Sequence, residues 1–164
     1  MDNIMKKQQG FTLIELVVVM VILGVLAATA LPKFMNVSGK AHESAVAATG
    51  GAFGTAVAMV KSQYIVNGTI GADSDGVTGF GKDNVNTDSN GWPTASTAAE
   101  CKALWDDLMQ NPPKAETSGT ADYTASFNAV AGVNPANCAY TYQADTTKNI
   151  TYDLASYGNV TVTN

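Results

Sequence analysis

One acidic residue interrupts an oily stretch near the start of this chain. From Leu16 to Leu31 every residue is apolar except Gly24 and Thr29, and Glu15 stands at the edge of that run. A carboxylate in such surroundings is costly unless a partner meets it. Phe11 lies four residues earlier, directly after Gly10. A cut between Gly10 and Phe11 would create an amine able to neutralise Glu15, either in the same chain or in a neighbouring copy shifted along a common axis. Such a pair would set register between packed helices. The plainer alternative is an acid tolerated at the level of lipid headgroups.

The other chemistry-bearing residues are sparse. Cys101 and Cys138 are the two cysteines, both in the polar C-terminal part. Their even count, wide spacing and apparently exported setting predict a disulfide. A zinc or redox site would need a close C-x-x-C or added histidines, and His42 is the single histidine. Asp73-Ser74-Asp75-Gly76 starts like a calcium loop, but Val77 and Asn84 stand where further oxygen ligands are required. The glycines from Gly76 to Gly81 lack the Lys-Ser/Thr of a phosphate loop. No paired acids or nucleophile–base motif point to catalysis, so neither an enzyme nor a cofactor is expected.

Charge excludes another class. The formal net charge is −5 with a pI near 4.6, and all nine basic residues are lysines. Nucleic-acid binding rests on clustered Lys and Arg, and the chain has no such cluster. Lys6-Lys7 is the one adjacent basic pair, and it precedes the oily run.

The elements that would position these groups begin with that run. Phe11 to Leu31 covers 21 residues, about 31 Å of helix and a match to the hydrocarbon layer of a bilayer. Lys6 and Lys7 keep its N-terminal flank cytoplasmic, which leaves the rest of the chain where a disulfide can form. A secretory signal peptide places its small-residue cleavage site after the apolar stretch. Here the basic stretch ends in Gly10, ahead of the apolar stretch. Gly24 and Pro32 weaken the helix, at costs of about 1 and 3 kcal/mol in a helix interior, and Pro32 cannot donate to the Ala28 carbonyl.

Lys6-Lys7, then Gly10-Phe11-Thr12-Leu13-Ile14-Glu15, then an unbroken apolar run resembles the class III signal of type IV pilins and pseudopilins. The resemblance covers residues 6–34. It implies cleavage after Gly10 by a prepilin peptidase, N-methylation of Phe11, and a part for Glu15 in methylation and assembly. Gly24 and Pro32 match positions between which the family's helix can unravel in assembled fibres. Within the family, the Leu16-Val17-Val18-Val19 run, the Lys/Gly-rich middle and the Trp92-Pro93 loop look most like mannose-sensitive haemagglutinin-type (MSHA) pilins of Gram-negative bacteria. That subtype implies surface adhesion, biofilm formation and motility by retraction.

Beyond Pro32 the apolar pattern becomes one-sided. Phe34, Val37, Ala41, Ala45, Ala48, Ala52, Ala56 and Met59 step by three or four, and Val46, Phe53, Val57, Val60 and Tyr64 widen the stripe. The helix is expected to stop near Val66, at Asn67-Gly68. Residues 67–96 have loop composition, with Trp92-Pro93 pinning the loop to the head. Thr97 to Glu100 fits a capping box opening a second helix that Pro112-Pro113 would end, with Trp105 in the core. Period-two sets at Tyr123–Ala129, Cys138–Tyr142, Ile150–Leu154 and Val160–Val162 predict four antiparallel strands.

The expected fold is α+β, of the type IV pilin kind, with a long N-terminal helix on a four-stranded antiparallel sheet. Residues 1–10 form a removable leader and residues 11–66 the helix, of which 11–31 is the membrane segment and filament core. Residues 67–164 form a globular head. The expected function is a structural pilus subunit, held in the inner membrane as a precursor and then extracellular on a Gram-negative cell. Its partners would be copies of itself, the prepilin peptidase and the inner-membrane assembly machinery, besides an unidentified surface receptor. The alternative is a pseudopilin of a type II secretion system. Its major subunit usually has a C-terminal calcium site and no disulfide; Gly91-Trp92-Pro93-Thr94 only weakly matches its tyrosine-proline-threonine loop.

Overall fold

A computed structural model of the chain describes residues 10–130, 133–155 and 157–163, without the side chains of 35, 36, 130 and 133–135. The leader expected at residues 1–10 therefore lies outside the described residues except for Gly10. Two compact units are present, Met1–Lys40 and Ala41–Asn164. Helix α1, Leu13–Val66, supplies residues to both.

In the first unit α1 runs unbroken through Gly24 and Pro32. Every large side chain from Leu13 to Leu26, and Leu31 beyond it, is about half exposed or more. Among the described residues these side chains are left exposed, and apolar helix surface of this kind is buried by lipid or by other protein.

The second unit is built around the later part of α1. Its buried face is Val46, Phe53, Val57, Val60 and Tyr64, with Ala56 beside them. The alanine line expected to lead that face turns outward at Ala45, Ala48 and Ala52, as does Met59. Bulk decides the rotation: burying a valine, phenylalanine or tyrosine removes far more apolar surface from water than burying an alanine. The helix ends at Val66 as expected, and Gly68 follows with φ +66°, the left-handed geometry that closes a helix.

Helix α2 spans Ala98–Leu108 with Thr97 as its N-cap. The Glu100 amide donates to the Thr97 hydroxyl at 3.2 Å, but the Glu100 carboxylate receives Ser96 instead, from its amide at 2.6 Å and its hydroxyl at 2.8 Å. The box is thus shifted one residue outward on its acidic side. The helix stops at Leu108, ahead of Pro112, because Met109 is already extended.

All four expected strands form, as β2 (Tyr123–Val130), β3 (Val133–Tyr142), β4 (Asn149–Asp153) and β5 (Val160–Thr163). They make an antiparallel meander. A fifth strand, β1 (Ala115–Glu116), joins the edge parallel to β2, giving a sheet ordered β1-β2-β3-β4-β5. Alternation along the strands sends Tyr123, Ala125, Cys138, Tyr140, Ile150 and Tyr152 inward. Phe53 of α1 meets Tyr140 and Tyr152 edge-on, with ring centres 5.2 and 5.9 Å apart, and Trp105 of α2 at 5.5 Å. Trp105 also donates its indole N–H to the Pro113 carbonyl at 2.8 Å, which satisfies its polar edge in the core. This aromatic cluster joins the later part of α1, α2 and the sheet into one core.

The connection from Asn67 to Ser96 carries no regular strand. Backbone bridges tie Asp73 to Thr87 and Thr87 to Pro93. Pro93 is fully buried, and its carbonyl accepts the Tyr152 hydroxyl at 2.7 Å. Trp92 packs against the core, so the Trp92-Pro93 pair pins the loop as expected.

Candidate functional site

The expected site residues fall into two groups. Gly10, Phe11, Glu15, Gly24 and Pro32 lie in the first unit; Cys101 and Cys138 lie in the second.

Around the expected cleavage point the backbone of residues 10–12 is not helical, and both Gly10 and Phe11 are exposed. Phe11 leaves its ring 91% open. A peptide bond presented in this way can enter the cleft of a protease, which a bond inside the helix could not. The first turn of α1 then closes on itself. Glu15 Oε2 accepts the Thr12 amide at 2.8 Å and the Thr12 hydroxyl at 2.7 Å. The Glu15 amide donates back to the Thr12 hydroxyl oxygen at 3.3 Å. This is a capping box, Thr at the N-cap and Glu three residues on, and it satisfies donors that the first turn otherwise leaves unpaired.

Among the described residues Glu15 is therefore partnered by Thr12. The signal for Thr12 was legible, because Thr-x-x-Glu is the same spacing that announced α2.

Between Gly24 and Pro32 a second weakening is present. The Thr29 hydroxyl donates to the carbonyls of Val25 and Leu26 at 3.3 and 3.0 Å. Such back-bonding competes with the helix ladder and bends helices. It falls one turn before Pro32, in the segment that Gly24 and Pro32 bracket. Among the described residues, α1 is the one helix long and apolar enough to cross a membrane, by length and composition.

In the second unit Cys101 of α2 and Cys138 of β3 form a disulfide, with their Cα atoms 5.5 Å apart. His42 is in hydrogen-bond contact with Tyr142, its Nδ1 lying 2.9 Å from the phenol oxygen, rather than standing free in solvent.

Residues 5–31 match the family described as the prokaryotic N-terminal methylation motif. The chain is 42% identical over 57 residues to a type IV narrow pilus major component of Thermus thermophilus, a stretch covering 35% of this chain and 49% of that protein. It is 35% identical over 78 residues to a fimbrial protein of Pseudomonas aeruginosa, covering 46% and 51%. Against a fimbrial protein of Eikenella corrodens it is 41% identical over 73 residues, covering 44% and 45%. The chain spans about half the length of the curated relatives it matches. No solved structure gives a significant match. The methylation motif and these relatives together support the type IV pilin family.

Proposed function

We propose that this chain is the structural subunit of a type IV pilus, made as an inner-membrane precursor and assembled into an extracellular filament. A prepilin peptidase removes residues 1–10, Phe11 is N-methylated, and the inner-membrane assembly machinery stacks copies through residues 11–31. The observation that carries this is a bilayer-length helix, apolar on every side and exposed throughout, directly behind an open Gly10-Phe11 bond. Lipid and a bundle of like helices both remove that surface from water, at about 0.8 kcal/mol per methylene, so one segment serves both states. The role is structural rather than catalytic.

The finer reading is an MSHA-type pilus of a Gram-negative cell, used for adhesion, biofilm formation and motility by retraction. Gly24, Thr29 and Pro32 give the filament a segment able to lengthen under tension. The Cys101–Cys138 disulfide favours a pilin over the major pseudopilin of a type II secretion system.

Mass spectrometry of filaments sheared from cells tests the reading. An abundant peptide beginning at N-methylated Phe11 is the expected result. A chain retaining Met1 and confined to membranes would overturn it.

A further inference from the structure

We propose that Asn90-Gly91 is a site of spontaneous deamidation, that the fold protects the chain's other Asn-Gly pair, Asn67-Gly68, and that the change at Asn90 releases the turn that pins Trp92. An asparagine followed by glycine is open to this reaction because no Cβ shields the following nitrogen. The Gly91 nitrogen attacks Cγ of Asn90 and the Cγ–Nδ2 bond breaks. Nδ2 leaves as ammonia, taking the proton that the attacking nitrogen gives up. Water then opens the cyclic imide at either carbonyl, giving aspartate or isoaspartate with no change of oxidation state.

In both pairs the attacking nitrogen is held alike. The Gly68 N–H donates to the Ile65 carbonyl at 3.1 Å and the Gly91 N–H to the Asp88 carbonyl at 3.0 Å. The carbon under attack is not. Both asparagines are exposed, but Asn67 is gripped at both ends of its side-chain amide. Its Nδ2 donates to the Thr78 carbonyl at 2.8 Å, and its Oδ1 accepts Gln63 Nε2 at 2.9 Å. Asn90 Nδ2 reaches Asp88 Oδ2 only at 3.3 Å, and its Oδ1 accepts no hydrogen bond among the described residues. The Asn90 side chain can therefore swing toward its own backbone at small cost, whereas Asn67 must first break two bonds.

The consequence follows from what the turn holds. Asp88 Oδ1 accepts the amides of both Asn90 and Trp92 at 2.8 Å, and the Tyr64 hydroxyl donates to the Ser89 carbonyl at 3.3 Å. A new carboxylate at this position stands beside that of Asp88, and isoaspartate also adds a methylene to the main chain just before Gly91. Gly91 has no room to absorb it: its φ is +82°, and a Cβ there would collide with the Tyr64 ring. The turn lifts from Tyr64, and the Trp92-Pro93 pin lifts with it.

The full-length chain in detergent, incubated in mildly alkaline buffer, tests both parts. Peptide mass spectrometry follows conversion at each pair, and enzymatic methylation of isoaspartate scores that product. A sample unfolded in denaturant with its disulfide reduced gives the rates without the fold. In the folded chain Asn90 is expected to convert about tenfold faster than Asn67, since two hydrogen bonds hold Asn67 against one long one on Asn90. In the unfolded chain the two rates should be nearly equal. Gln63→Ala should speed conversion of Asn67 and leave Asn90 unchanged. Aged wild type should exchange the amides of Gly91 and Trp92 faster than fresh protein, a change absent from Asn90→Gln. Equal folded rates, a faster Asn67, the same gap in the unfolded chain, or an unmoved Asn67 in Gln63→Ala would each overturn the selectivity. Converted protein with unaltered exchange would overturn the release of the turn.

Discussion

Tyr140 on β3 donates its hydroxyl to the carbonyl of Cys101 on α2 at 2.7 Å, two residues along the strand from the cysteine that is disulfide-bonded to Cys101. The strand and the helix are therefore tied twice at one place, once covalently and once by a buried hydrogen bond. The disulfide closes a loop with a sequence separation of 37 residues. In the chain-entropy model that stabilises the fold by roughly 3–4 kcal/mol.

Removing the disulfide as Cys101→Ser/Cys138→Ser should lower stability by that amount, and Tyr140→Phe by about 1 kcal/mol. The losses should not add, because with the disulfide gone the helix can drift and the hydroxyl bond weakens with it. Denaturant unfolding of the detergent-solubilised chain, followed by near-ultraviolet circular dichroism, measures all three variants. Strict additivity would mean that the two ties act independently.

Alkali should unfold the second unit through its buried phenols. Burial pushes both Tyr140 and Tyr152 above the ordinary tyrosine value of 10.0. Above that value the unfolded chain releases protons that the folded chain keeps, so stability is intact below pH 10 and declines as pH rises beyond it. Denaturant midpoints measured between pH 8 and 11 should fall in the upper part of the range. Tyr140→Phe should flatten the slope, since it removes one of the two groups.

Acid should act at the start of α2. The Ser96 hydroxyl and amide hold Glu100 below its ordinary value of 4.5. A depressed carboxylate contributes stability that is full above the unfolded value and is lost as pH falls through the folded one. The contribution of Glu100 is thus expected to disappear below pH 4.5, and Glu100→Gln should make stability less dependent on pH in that window. Melting temperatures from pH 7 to pH 3 for the two proteins provide the comparison; parallel curves would contradict it.

Two adjacent glycines of α1 should respond in opposite directions. A Cβ on Gly50 would clash with a methyl of Val162 on β5, whereas one on Gly51 meets nothing within 4 Å. Gly50→Ala should therefore push the C-terminal strand off the helix, at a cost of about 1–3 kcal/mol for overpacking. Gly51→Ala should raise helix stability by up to about 1 kcal/mol. Thermal melts of both variants in detergent decide the matter, with amide exchange on β5 locating the damage.

The N-terminal part of this molecule was legible because its information is local. The apolar run, the Gly10-Phe11 bond, Glu15, Gly24 and Pro32 follow one another along the chain, and helix periodicity alone fixes how those within α1 are arranged. The stop at Asn67-Gly68 and the four alternating strands are local in the same sense. Thr12 belongs with them, since its spacing to Glu15 was on view.

Tertiary structure decided what depends on residues distant in sequence. Which face of α1 is buried was settled by competition between the bulky line through Phe53 and the alanine line, once a sheet was there to cover one of them. Strand β1 is only two residues long and pairs in parallel, too short for any periodicity to announce it; its backbone forms a strand because β2 offers an open edge. The contact of His42 with Tyr142 joins residues a hundred positions apart, and no pattern along one segment contains it. Spacing along the chain sets a residue's direction, but only packing of the whole chain sets what it meets.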